Sequence, residues 1–182
     1  MLKVEDTCLV VIDFQERLMP AISGKEELLK RSAALIKGMK LLDVPILVTQ
    51  QYTKGLGPTV LQIAEALGDF EPIEKITFSC MAEKSFWQNL HEFENDNVVI
   101  IGAEAHICVQ QTVLDMLAKE HYNVCLVADC IGSRHDNDKK YAIERMKQEG
   151  AIVTTFESVL FELLHTAEHP RRKEIQALVM DF

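Results

Sequence analysis

Positive charge is scarce in this chain. Its 182 residues carry 19 Lys and Arg against 28 Asp and Glu, a formal net charge of −9. A nucleic-acid partner wants a basic face for phosphate, so this balance argues against one. No apolar run approaches the ~20 residues that cross a bilayer, so no membrane partner is expected. The opening segment MLKVEDTCLVVIDF lacks the basic start and small-residue cleavage site of a secretory signal. A cytoplasmic location is therefore expected. The cysteines are five, an odd and irregularly spaced set without a CxxC pair or zinc-finger spacing. They read as reduced thiols, and no disulfide framework or zinc site is expected. Repeats, low-complexity tracts and linkers rich in Gly, Pro or Ser are missing too. With 48% hydrophobic and 26% charged residues, the chain reads as one globular domain, 1–182.

What is present is alternation. Short apolar, β-branched runs read as strands: Thr7–Phe14, Val44–Gln50, a weak one at Pro72–Ser79, Asn97–Ala103, Asn123–Asp129 and Ala151–Phe156. Between them lie amphipathic stretches at helical spacing: Gly24–Asp43, Val60–Leu67, Ala82–Phe93, His106–His121 and Asp136–Gly150. Two closing helices follow, in ESVLFELLHT and HPRRKEIQALVM. Strand alternating with helix predicts a three-layer α/β/α sandwich, Rossmann-like, around a mostly parallel six-stranded sheet. In such folds ligands bind past the C-terminal ends of the strands, near the switch in strand order.

Four polar features satisfy that placement. Asp13 and Gln15 end the first strand, and Gln50, Gln51 and Tyr52 the second. Lys75 lies in or just after the third, and Cys108 one helical turn beyond the fourth. Each has a plainer alternative: a turn Asp, a solvated Lys, a buried inert Cys. Position separates Cys108 from the other four thiols. It falls in the first turn of a helix, where unpaired amides and the dipole favour thiolate, and a nearby Lys would add to this. The same amides can hold an oxyanion.

VIDFQ, the Lys ahead of TFS, and GAEAHICVQQTVLDML, in this order, resemble the isochorismatase-like (cysteine hydrolase) superfamily. LVTQQYTKGLGPTV resembles its YcaC-like, isochorismatase domain-containing branch. The resemblance implies a triad: Asp13 as general base, Lys75 beside it and Cys108 as nucleophile. It also implies a cis peptide between Ala103 and Glu104, with the N–H groups of Glu104 and Cys108 as an oxyanion hole. The reaction implied is hydrolysis of a small amide-like C–N bond through an acyl-thioester. Some members bind a metal through an Asp and several His after the second strand. This chain has no His between Gln50 and Lys75, so neither a metal nor any other cofactor is expected.

Gln15, Gln51, Tyr52 and Phe78 are candidate substrate contacts, with turn or core roles as their alternatives. The vinyl-ether cleavage of isochorismatase itself does not need the cysteine. A catalytically silent scaffold and a nuclease are the remaining alternatives, the last disfavoured by charge. The apolar late helices further predict a homo-oligomer.

Overall fold

All six residues of Thr7–Ile12 (β1) are buried, and their side chains alternate between two cores. Leu9 and Val11 point into one apolar cluster, Cys8, Val10 and Ile12 into the other. A strand covered on both faces needs this continuous apolar run, where a half-exposed strand would alternate with polar residues. The computed structural model describes residues 1–119, 121–180 and 182. Position 120, within the segment expected to be helical from His106 to His121, lies outside the described residues.

The other strands are β2 (Ile46–Gln51), β3 (Ile73–Lys75), β4 (Asn97–Ala103), β5 (Asn123–Gly132) and β6 (Ile152–Thr154). They form one parallel sheet in the order β3-β2-β1-β4-β5-β6. The helices are α1 (Lys25–Leu41), α2 (Thr53–Leu56), α3 (Leu61–Leu67), α4 (Lys84–Glu92), α5 (Gln110–Leu117), α6 (Asp136–Gln148), α7 (Phe156–Leu164) and α8 (Arg172–Val179). Leu35 of α1, Ile63 of α3, Leu160 of α7 and Ile175 of α8 cover one face of the sheet. Phe86 of α4, Val113 of α5 and Met146 of α6 cover the other. The expected three-layer α/β/α sandwich is what the chain forms. Among the described residues no helix is long and apolar enough to cross a membrane.

Among the boundaries that depart from the sequence reading, three have a local reason. The third strand stops at Lys75 instead of reaching Ser79, because the carbonyls of Thr77 and Phe78 turn back to accept from the Lys75 ammonium (3.3 and 3.1 Å). The fifth runs past Asp129 to Gly132 across a register shift: Ile100 pairs with Leu126, but Gly102 with Ile131. Inside the bulge Asp129 accepts from the Phe156 amide and from Arg31. The expected His106–His121 helix opens as a wider π turn, Ala105–Val109, before α5 begins. Such turns are rare and recur at functional sites.

The late helices remove the ground on which the homo-oligomer was expected, though not the expectation itself. Val159, Leu160, Leu163 and Leu164 of α7 and Ile175 and Val179 of α8 are buried within the chain, against α1 and each other. Their apolar character is used internally, so it is no sign of an oligomer.

Candidate active site

The strand order reverses between β1 and β4, and folds of this kind hold ligands past the C-terminal strand ends at such a point. Gly102 lets the two strands close in. Its φ is +140°, and a Cβ there would lie 2.2 Å from the Ile12 carbonyl oxygen. One residue past Ile12, Asp13 turns out of the strand with φ 52°.

That carboxylate is fully buried and held on both oxygens. Oδ1 accepts from the Thr49 hydroxyl at 2.7 Å, and Oδ2 from Lys75 Nζ at 2.8 Å. The Lys75 ammonium is equally inaccessible. It also donates to Gln51 Oε1 at 2.7 Å. Burial is the largest effect and opposes its charge, but the Asp13 carboxylate and the Cys80 and Cys108 sulfurs together outweigh it and hold the lysine above its ordinary pKa. The Cys108 thiol, also buried, lies near enough to Asp13 to feel the carboxylate's charge. Asp13, Lys75 and Cys108, drawn from three distant segments, thus meet at one carboxylate.

The protonation of Cys108 reverses the expectation of a thiolate. Burial raises its pKa first and the Asp13 charge adds to this; the Lys75 charge opposes them without prevailing. The sequence showed the helix end and the lysine, but not the apolar packing or a carboxylate so close. At rest the site holds a neutral thiol on a carboxylate that is itself paired with an ammonium.

The Ala103–Glu104 peptide is cis. The Glu104 carbonyl accepts from the amides of Ile107 (3.0 Å) and Val109 (3.2 Å), which winds the π turn around Cys108. The side chain of Glu104 is buried and accepts from the Arg134 amide (2.9 Å) and Arg134 Nε (3.1 Å). His106 meets the Ser133 hydroxyl at 3.0 Å. These contacts tie the cysteine's turn to the loop after β5.

The four candidate substrate contacts have distinct placements. Gln15 is buried with both amide donors committed, to the carbonyls of Gln51 (3.0 Å) and Gly57 (2.7 Å), and its Oε1 accepts from the Gln51 amide (2.7 Å). It braces the loop after β2 and has no donor left for a substrate. Gln51 orients the Lys75 ammonium while its own amide donates to the Ile76 carbonyl (2.7 Å). Tyr52, with φ 39°, and Phe78 are half-exposed, and each is tied by its backbone to Lys75.

Sequence reasoning missed Thr49 and Thr112. Thr49 orients Asp13, while Thr112 donates to the Cys108 carbonyl (2.7 Å) and accepts from the Cys80 amide (3.0 Å). The only available signal was a hydroxyl inside an otherwise apolar stretch, which β-branching alone explains. Among the described residues no three His, Cys, Asp or Glu side chains gather as a metal ion would require.

The same arrangement of strands is found in known proteins. The solved structure described as the MAR1 ribonuclease of Caenorhabditis elegans has a TM-score of 0.92 at 37% identity, covering 98% of this chain and 92% of that one. The YcaC gene product of Escherichia coli, described as an octameric hydrolase of unknown specificity, has a TM-score of 0.87 at 22% identity over 98% and 87%. It shares the fold. Isochorismatase domain-containing protein 1 of Salmo salar is 37% identical over 173 residues, 95% of this chain. The chain spans only 60% of the length of that relative. The family model for the isochorismatase domain matches residues 7–158, from the first residue of β1 into α7. That span contains Asp13, Lys75, the cis peptide and Cys108, and the chain belongs to the isochorismatase domain family.

Proposed function

We propose that the chain is a cysteine hydrolase acting on a small amide-like C–N bond. One observation carries this reading: a buried carboxylate, ion-paired to Lys75, lies close enough to the Cys108 thiol for its charge to act on it. A neutral thiol beside a fixed base needs no free thiolate at rest. Asp13 takes the proton as sulfur attacks the carbonyl carbon, and Lys75 keeps that carboxylate oriented. The carbonyl oxygen gains charge, which in this reading the N–H groups of Glu104 and Cys108 receive. As the C–N bond breaks, the proton on Asp13 passes to the departing amine and a thioester remains. Water, giving its proton to Asp13, splits the thioester and restores the thiol. The product is the carboxylic acid.

A panel of small amides and carbamoyl compounds, assayed for ammonia release, tests this. Wild type releases ammonia from at least one, and Cys108→Ala does not. Equal turnover in the two proteins would remove Cys108 from the reaction, and no ammonia from either would leave vinyl-ether hydrolysis or a silent scaffold. A ribonuclease reading takes its support from the C. elegans structure, 37% identical to this chain. The net charge of −9 weighs against it. RNA cleavage by wild type that Cys108→Ala abolishes would replace the amide reading.

The functional form is proposed to be a homo-oligomer. Ile76, Phe78 and Tyr52 stand exposed on the segments next to Lys75, and the E. coli protein of like fold is described as octameric. Sedimentation at micromolar concentration should show a mass well above one chain; a species of monomer mass would contradict this.

A further inference from the structure

We propose that Cys80 is the partner of Cys108 in an oxidative modification: a hydroperoxide oxidises the Cys108 sulfur, and Cys80 then closes a disulfide with it. The site is a pair of thiols beside Asp13 and Lys75, and it stands whether or not the chain hydrolyses amides.

Position singles Cys80 out from the other thiols. Cys125 and Cys130 pack in the apolar cluster on the opposite face of the sheet from Cys108. Cys8 shares the face of Cys108 but precedes Asp13 by five residues, roughly 16 Å back along β1. Cys80 is tied in through two hydroxyls. Its amide donates to Thr112 Oγ1 at 3.0 Å, and the same hydroxyl donates to the Cys108 carbonyl at 2.7 Å. One oxygen atom thus joins the two backbones. The Cys80 thiol donates to Thr49 Oγ1 at 3.9 Å, and that hydroxyl in turn holds Asp13 Oδ1. Both cysteines are buried in one cluster. The Cys80 sulfur lies near enough for its charge to bear on Cys108, and both sulfurs bear on the Lys75 ammonium.

A buried cysteine is most often a small apolar filler. The surroundings of Cys80 are not those of a filler: two hydroxyls, a carboxylate and an ammonium all act on its sulfur. Burial raises both thiols, so both are protonated at rest and oxidation needs a base at hand. Asp13 is that base for each. In the first step the Cys108 sulfur attacks one peroxide oxygen while Asp13 takes its proton. The O–O bond breaks, the departing oxygen collects that proton as alcohol or water, and Cys108 is left as a sulfenic acid. Sulfur has lost two electrons and the peroxide has gained them. In the second step the Cys80 sulfur gives its proton to Asp13 and attacks the sulfenic sulfur. The S–O bond breaks, the hydroxyl leaves with that proton as water, and an S–S bond forms. The disulfide halts oxidation before sulfinic acid, which is irreversible, and an external dithiol restores both thiols. Cys80 opens a single 3-10 turn, Cys80–Ala82. So short an element can shift to bring the Cβ atoms to the about 3.8 Å that a disulfide needs.

Hydrogen peroxide on the native protein tests this. Remaining thiols are blocked with iodoacetamide after unfolding, and unreduced peptides are mapped by mass. Wild type should give a peptide pair joined through Cys80 and Cys108, two hydrogens lighter than its parts, while Cys8, Cys125 and Cys130 stay free. Dithiothreitol should then return nearly all of the Cys108 thiol. Cys80→Ala has no second sulfur, so its Cys108 should pass to sulfinic acid and almost none should be recovered. Cys80→Ser, closer in size to the native residue, should behave in the same way, which separates loss of the sulfur from loosened packing. A wild-type Cys108 that reaches sulfinic acid without the linked pair overturns the proposal. So does a Cys108 that stays reduced, a linkage to any other cysteine, or equal recovery of thiol in wild type and both variants. The readout is a bond between two sulfurs and needs no turnover. Amide hydrolysis by a chain that forms no linkage would leave the hydrolase reading standing and refute this one. Linkage in a chain that hydrolyses no amide would do the opposite.

Discussion

Above the ordinary thiol pKa of 9.0, the folded chain should lose stability at about 7 kcal/mol per pH unit. The cause is five buried thiols. Cys8 is pushed up to about 12, Cys80 and Cys125 to about 11, and Cys108 and Cys130 are raised as well, with burial the first cause in every case. Below the ordinary pKa both folded and unfolded chains keep their protons and nothing is lost. Above it the unfolded chain releases protons that the folded chain retains, so stability falls until the folded pKa values are reached. One such proton is worth about 1.4 kcal/mol per pH unit, and five act together. Against a total of about 5–15 kcal/mol, cooperative unfolding is expected between about pH 10 and 11. Lys75, also raised, adds to the loss above its own ordinary value of 10.5. Urea midpoints measured from neutral to alkaline pH check this, with thiolate absorbance followed in parallel. Absorbance that rises while the fold stays intact would show that the thiols ionise in place.

Lys75→Met should destabilise the chain by about 3–5 kcal/mol, because it leaves the Asp13 carboxylate buried without its cation. For a chain of this size that is a fall in Tm of roughly 10 °C. Further groups lose a donor: Gln51 Oε1 and the carbonyls of Thr77 and Phe78. The bend after β3 should loosen with them, seen as faster amide exchange over residues 76–79. The double variant Asp13→Asn/Lys75→Met buries no lone charge and should recover much of the loss, since replacing a whole buried pair is often close to neutral. Turnover should be absent from both proteins. Stability and chemistry therefore separate: the single variant lacks both, the double variant only the chemistry. A single variant within about 1 kcal/mol of wild type would mean that the carboxylate is not confined as described.

Local pattern carried the fold. β-branched apolar runs alternating with amphipathic stretches specify a covered parallel sheet almost irrespective of detail, and the strand ends then mark the site. Asp13, Lys75 and Cys108 were legible for that reason, as were the Ala103–Glu104 bond and its neighbours through their likeness to a family motif. Gln15 and Gln51 were legible as rim residues but not in their roles. An amide that braces backbone and one that contacts a ligand look identical in one dimension.

The sequence by itself determined the order of strands and helices, the apolar faces they bury and the three positions where polar groups leave strand ends, because periodicity and chain order are properties of the chain. Only the tertiary structure decided that the Cys108 thiol keeps its proton, that Thr49 turns Asp13 toward Lys75, and that one Thr112 hydroxyl joins the Cys80 amide to the Cys108 carbonyl. Each of these depends on burial and on contacts between residues far apart in the chain, and electrostatic energies are set by distance and dielectric rather than by sequence separation.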